Sequence, residues 1–267
     1  MAMYFEETGN KAAPTLVFIH GGGISGWMWK KQLDYFKNYH CLVPDLPEHG
    51  ESLKEGQISI HDSAIRTAEL IEKHANGGKA HVIGHSLGAK VLIDLLSIRP
   101  ELVDHAIVAS ALFRPVPIMK LAHRPFVYKL TTYLLRYKWS TLLTVKQFKF
   151  PDEIYINHCV KEFQQLTADT LYRIYDELYQ NLNLPKGLET VNVPTLIIAG
   201  EKELRAMRQS VVDIVNIMPK AKGILVKKGL HTYPWAMYDE FNKIVEQWLN
   251  NEQIVNEFVI HCPRSLV

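Results

Sequence analysis

The chain has 267 residues, 47% hydrophobic and 22% charged, with a net charge of +2 at neutral pH. Such a composition suits one sizeable globular domain, or a domain carrying an insertion, and gives no sign of a nucleic-acid partner. Three scattered cysteines (Cys41, Cys159, Cys262) with no C-x-x-C pair argue against a disulfide frame and a zinc site. The opening MAMYFEETGN is acidic and has no apolar leader core. No apolar run nears the ~20 residues of a membrane helix. The expectation is a soluble, cytoplasmic protein with no integral membrane segment.

Tyr4–Thr8 reads as a short edge strand ending at Gly9-Asn10. Thr15–Ile19 (TLVFI) is continuously apolar, as in a strand covered on both faces of a parallel sheet. It runs into His20-Gly21-Gly22-Gly23. Trp27–Tyr39 has helical amphipathicity. Cys41–Val43 is the next strand, followed by a turn-rich loop from Pro44 to Ser52, and Ser59–His74 is helical. Ala80–Ile83 is a strand and Ala89–Leu96 a helix, with Val91, Leu92, Leu95 and Leu96 as its apolar stripe. Val103–Ala109 is a further strand. Strand and helix alternate throughout, which specifies a parallel sheet covered on both sides by right-handed crossovers.

The alternation stops over 113–187. Helical segments are expected at Val116–Tyr137, Asp152–Leu166 and Thr167–Leu182, punctuated by Pro115, Pro117, Pro125, Pro151 and Pro185. Strands return at Thr195–Ala199 and Gly223–Val226, with helices at Arg208–Met218 and Trp235–Leu249. The tail from Asn250 to Val267 is a candidate extra strand at Phe258–Ile260, or a contact of a homodimer. The division expected is a core of 1–112 and 188–267 with a helical cap at 113–187.

Chemistry concentrates at Gly84-His85-Ser86-Leu87-Gly88, a G-x-S-x-G pentapeptide between a strand and a helix. The pattern alone is weak; that context gives it meaning. Gly84 and Gly88 permit a very tight turn, which lifts the Ser86 hydroxyl above the sheet. The Leu87 N–H, at the helix N-terminus, is placed to receive a developing oxyanion. A serine nucleophile needs a general base oriented by a carboxylate. The later strand ends supply Gly200-Glu201-Lys202-Glu203 and Gly229-Leu230-His231, in the order Ser, acid, His. The strand at 103–109 ends in Ser110 and offers no carboxylate. No H-E-x-x-H, phosphate loop or G-x-G-x-x-G occurs, so neither a metal nor any other cofactor is expected.

These residues, with HGGG at 20–23 and the D-x-P-x-H-G-x-S loop at 45–52, make the whole chain resemble the α/β-hydrolase superfamily, in particular its cap-bearing serine hydrolases (carboxylesterase- and lipase-like). The resemblance implies an α/β fold: a mostly parallel α/β-hydrolase sheet with helices on both faces and an inserted helical cap. It implies Ser86 as nucleophile, His231 as base and Glu203, where most such chains carry Asp, as the orienting acid, with Glu201 the runner-up. It implies oxyanion donors at Leu87 and Gly22, with Gly23 the fallback. Glu48 departs from a glycine common in that loop. His20, His49 and His85 are read as structural or pocket-wall residues.

The expected activity is hydrolysis of a carboxylic ester with a small to medium apolar acyl group, through an acyl-enzyme. Hydrolysis of C–C bonds, lactones or thioesters on the same triad, and a slow-turnover ligand sensor, are the alternatives. Between Asp104 and Asp152 no acidic residue occurs, while basic and aromatic residues interleave. That stretch is either a solvated basic face or the rim of an apolar pocket drawn to anionic substrates or lipid surfaces.

Overall fold

A computed structural model describes residues 3–254 and 258–262. Eight strands form one sheet: β1 (Phe5–Gly9), β2 (Thr15–Ile19), β3 (His40–Pro44), β4 (Ala80–His85), β5 (Val103–Ala109), β6 (Thr195–Gly200), β7 (Ala221–Val226) and β8 (Val259–Cys262). Their order is β1-β3-β2-β4-β5-β6-β7-β8. The inner pairs are parallel, while β1 and β8 join antiparallel at the two edges. Every residue of β2, β3 and β6 is buried, as their unbroken apolar runs require. The tail strand falls at Val259–Cys262; the other parts of the tail expectation, 255–257 and 263–267, lie outside the described residues.

Helices cover both faces. Val17, Ile19, Val82 and Val108 pack on one side with α2 (Ile60–His74) and α3 (Leu87–Ile98). Leu16, Phe18, Ile83 and Ile107 pack on the other. This is the period-two alternation of a strand, with both faces apolar. The helix expected over Trp27–Tyr39 is shorter: a 3₁₀ turn at Gly26–Trp29 leads into α1 (Lys30–Tyr35). The chain must re-enter the sheet at His40, and the Tyr39 N–H closes a turn on the Phe36 carbonyl to do so.

Between β5 and β6 lie five helices and, among the described residues, no strand: α4 (Pro117–Ala122), α5 (Pro125–Leu135), α6 (Lys138–Val145), α7 (Glu153–Gln165) and α8 (Ala168–Gln180). The single helix expected over Val116–Tyr137 breaks because Pro125 forces Arg124 out of the helical region, to φ −134°, ψ 137°. Three helices complete the fold: α9 (Arg205–Ile217), α10 (Tyr233–Ala236) and α11 (Tyr238–Leu249). The expected helix at Trp235–Leu249 is split at Met237, which sits at φ −130°. No helix among the described residues is long and apolar enough to cross a membrane.

Strand order reverses between β2 and β4: the chain leaves β2 for β3 on one side and returns to β4 on the other. Crevices at such reversals, beyond the carboxyl ends of the strands, are where ligands bind in open parallel sheets. Ile19 and Gly84 are register partners at these ends. The HGGG loop and Ser86 therefore leave the sheet side by side.

Candidate active site

The turn at Ser86 is held from three sides. Ser86 has φ 55° and ψ −109°, a region that costs an L-residue about 1–2 kcal/mol. Its N–H bonds the Ala109 carbonyl at the end of β5, 2.8 Å away. A Cβ at Gly84 would lie 2.3 Å from the Gly88 carbonyl oxygen, and one at Gly88 would lie 2.4 Å from that of Ile19. Both glycines are thus required by close backbone approach, as the pentapeptide suggests. Ser86 is half-buried and Leu87 fully buried.

Glu203 and His231 come together through their loops. Where β6 and β7 end, a Cβ on Gly200 would lie 2.4 Å from the Gly229 carbonyl oxygen, so the two loops touch backbone to backbone. The Lys202 N–H bonds Gly229 and the Glu201 N–H bonds Val226. Glu203 folds back in a turn on Gly200: one carboxylate oxygen accepts the Gly200 N–H at 3.0 Å, and the other accepts His231 Nδ1–H at 2.6 Å. Its side chain is buried, whereas that of His231 is 40% exposed and open to a reactant. Glu201 is engaged elsewhere, accepting the Lys228 N–H at 2.8 Å.

His231 is set beside the serine turn by His85. The His85 Nε2–H donates to the His231 carbonyl at 3.0 Å, and the two rings lie 4.7 Å apart. Trp235 packs edge-on against the His85 ring. Burial holds the His85 pKa well below its ordinary value, so the ring is a neutral strut. Tyr233, fully buried, lies near Ser110 and the Glu203 carboxylate; burial and that charge keep its phenol protonated.

Two buried histidines shape the glycine loop. His20 donates Nδ1–H to the Gly21 carbonyl and accepts the Leu46 N–H at Nε2, 2.9 Å. His49 donates Nδ1–H to Pro47 and accepts the Gly23 N–H at Nε2, 3.0 Å. Each needs its neutral tautomer, and burial lowers their pKa values to about 4 and about 3. The Gly21 N–H approaches Met28 Sδ and the Gly23 N–H is taken by His49. The Gly22 N–H has no partner among the described residues. A Cβ at Gly22 would lie 3.7 Å from Leu87 Cβ, and one at Gly21 would lie 3.5 Å from Ser86 Cβ. The Leu87 N–H, first in its helix, has no intrahelical acceptor. Gly22 and Leu87, the two residues with unengaged amides, thus pack against each other next to the serine turn.

The inserted helices close over this crevice. Ile174 of α8 packs on Gly22. Glu48, at φ 64°, binds Arg173 through both carboxylate oxygens, accepts Thr170 Oγ1–H, and accepts the Ile58 N–H of its own side. Burial would raise the Glu48 pKa, but Arg173 and Ile58 overcome it and hold it below the usual value. The Ser25 hydroxyl donates to Glu162 of α7, whose pKa burial pushes up to about 7. Lys90 of α3, fully buried, donates to the carbonyls of Leu112 (3.0 Å) and Leu178 (2.9 Å), and burial brings its pKa to about 7. A cavity of about 310 Å³ lies where Gly23, His49 and Leu53 face Glu162, Leu166 and Thr170. Among the described residues no His/Cys/Asp/Glu group could hold a metal ion.

Sequence reasoning missed the parts played by Glu48 and Lys90, while His49 is the structural and pocket-wall residue expected. Glu48 carried a signal, a long acidic residue in a tight turn. A lysine inside the apolar α3 stripe was a second.

Residues 16–244 match the model of the alpha/beta hydrolase family, and the chain belongs to that family. An AB hydrolase superfamily protein of Gibberella zeae is 35% identical over 130 residues, 46% of this chain; the match spans 45% of that relative's length. Lipase 1 of Psychrobacter immobilis is 26% identical over 250 residues, 89% of this chain and 77% of the lipase. Among solved structures, an alpha/beta hydrolase enzyme from a Medee basin deep-sea metagenome library superposes with a TM-score of 0.76 at 19% identity, covering 96% of each chain. That likeness is one of fold.

Proposed function

We propose that this hydrolase-family chain is a serine hydrolase that cleaves carboxylic esters through an acyl-enzyme. The observation that carries the reading is the 2.6 Å bond from His231 Nδ1–H to the buried Glu203, beside a serine in a strained strand–helix turn. The likeness to a lipase over most of both chains supports an ester as the substrate class.

In this reading Ser86 Oγ attacks the ester carbonyl carbon while His231 Nε2 takes its proton. Glu203 fixes the tautomer that leaves Nε2 free to accept, and stabilises the imidazolium. The Gly22 and Leu87 amides receive the oxyanion, each contact worth roughly 3 kcal/mol. His231 protonates the departing alcohol. It then takes a proton from water, which attacks the acyl carbon, and the acid leaves with Ser86 restored. The helices at 113–187 act as a cap, and the cavity between α7, the glycine loop and the Glu48 loop takes part of a small to medium substrate. Leu53 and Leu166 offer it apolar contact, while Glu162 and Thr170 bring polar groups.

The test pairs a fluorophosphonate probe with p-nitrophenyl acetate and butyrate. The reading requires labelling at Ser86, turnover of at least one ester, and loss of both in Ser86→Ala. Full ester turnover by that variant overturns it, and fast labelling without turnover on any ester identifies a ligand sensor instead.

A further inference from the structure

The insertion carries an apolar face that the fold leaves uncovered. Nine of the seventeen large apolar side chains exposed among the described residues fall between 118 and 143. Helix α5 shows why. At about 100° per residue, its buried Tyr128, Thr132 and Leu135 lie on one side, and these pack into the insertion. On the opposite side Phe126 (68% exposed), Leu130, Tyr133 and Leu134 form a second apolar stripe, continued by Tyr137. Helix α6 repeats the arrangement, with Thr141 and Val145 buried and Trp139 (67% exposed) and Leu143 outward. A helix that needs only to close a core carries one apolar stripe. These carry two.

The charges around this face have one sign. Lys120, Arg124, Lys129, Arg136, Lys138 and Lys146 are all exposed, and none is ion-paired among the described residues. No acidic residue occurs from 105 to 151. Lys129 and Arg136 border the α5 stripe along one edge. Self-association through the same face would set these cations against each other. Aromatic rings with polar tips, Tyr133, Tyr137 and Trp139, suit the boundary between hydrocarbon and headgroups.

We propose that the outer face of α5 and α6 docks the protein peripherally on an anionic phospholipid bilayer. The apolar stripe enters the headgroup–acyl boundary, and the basic side chains keep their charges at the phosphates. Binding of this kind needs no turnover, so it stands or falls separately from the ester reading.

The test is co-sedimentation of the full chain with vesicles of phosphatidylcholine alone or mixed with phosphatidylglycerol, at low and high salt. Binding should require the anionic lipid and weaken with salt. Each basic residue near the surface is worth about five-fold in partitioning, so K129E/R136E/K138E should lower it by about a hundred-fold or more. F126S/W139S should lower it at every salt concentration. The emission of Trp139 should shift to the blue on binding, and the shift should vanish in Trp139→Phe. Ser86→Ala should bind as the parent does. No binding to anionic vesicles at low salt overturns the proposal. So does binding that both multiple variants leave intact, or a dimer in solution that F126S/W139S dissociates.

Discussion

The imidazole of His49 accepts the Gly23 N–H through Nε2 at 3.0 Å. That bond leaves Gly22, not Gly23, with the unengaged amide beside Leu87. His49→Ala should lower kcat for a p-nitrophenyl ester by roughly ten- to a hundred-fold, a fraction of one oxyanion donor, with KM little changed. An equal loss in kcat and gain in KM would place His49 in substrate binding instead.

Acid should destabilise the fold through His20 and His49. Their folded pKa values, about 4 and about 3, lie below an unfolded value near 6.5. Below pH 6.5 the unfolded chain gains protons that the folded chain refuses, so stability falls from about pH 6.5 towards 4. His20 alone accounts for roughly 3 kcal/mol by the end of that window. Glu162, raised to about 7, works in the opposite sense as its folded form binds a proton early. Urea unfolding from pH 7 to pH 4.5 should show the decline, and His20→Gln with His49→Gln should flatten it.

Substitutions at Ser86 separate strain from chemistry. Ser86→Ala keeps the left-handed backbone and should match the parent in stability while losing ester turnover. Ser86→Gly also loses turnover, but glycine relaxes the φ of 55°, so thermal unfolding should report a gain of about 1 kcal/mol. A Gly variant no more stable than the Ala variant would show that the turn stores no strain.

The two acids of the Gly200 loop should differ sharply. Glu203→Gln should cost roughly 10³–10⁴-fold in kcat, because the amide can hold His231 in the wrong tautomer. Glu201→Gln touches only the Lys228 amide and should leave kcat within about two-fold. Steady-state rates on one chromogenic ester decide the matter, and the reverse order would reassign the acid.

Most of the sheet was readable because its strands are apolar on both faces near their carboxyl ends: Thr15–Ile19 falls where its unbroken run places it, and Val103–Ala109 where the apolar Ala106–Ala109 places it, despite Asp104 and His105. The loops that carry Glu203 and His231 follow β6 and β7, as strand ends and chain order lead one to expect. Contacts made across the chain were not readable. Nothing near Glu48 in sequence announces Arg173, which lies 125 residues on. Neither does the reach of His49 to Gly23, nor of His85 to the His231 carbonyl, leave a local pattern. Helix breaks at Arg124 and Met237 were blurred because apolar spacing continues through them.

Glu48 should act as a latch on α8. Glu48→Gly relaxes a positive φ, worth about 1 kcal/mol, yet frees Arg173 and Thr170. The melting temperature should therefore move little, while limited proteolysis within 150–182 should quicken about ten-fold as local opening becomes easier. Unchanged cleavage would mean that Ile174, the Ile60–Glu177 bond and the Lys90–Leu178 bond hold the helix unaided.

Lys90 lies one helical turn beyond Ser86, and its Nζ donates to two carbonyls of the segment between β5 and β6, Leu112 before its helices and Leu178 in the last of them. The residues between them thereby form a loop closed on one side chain of α3. A segment of different length could be spliced between those carbonyls, and the Ser86 turn would keep the same anchor as long as both carbonyls are presented. If the proposed reading holds, selectivity would be an exchangeable part of this chain, and reactivity a fixed one.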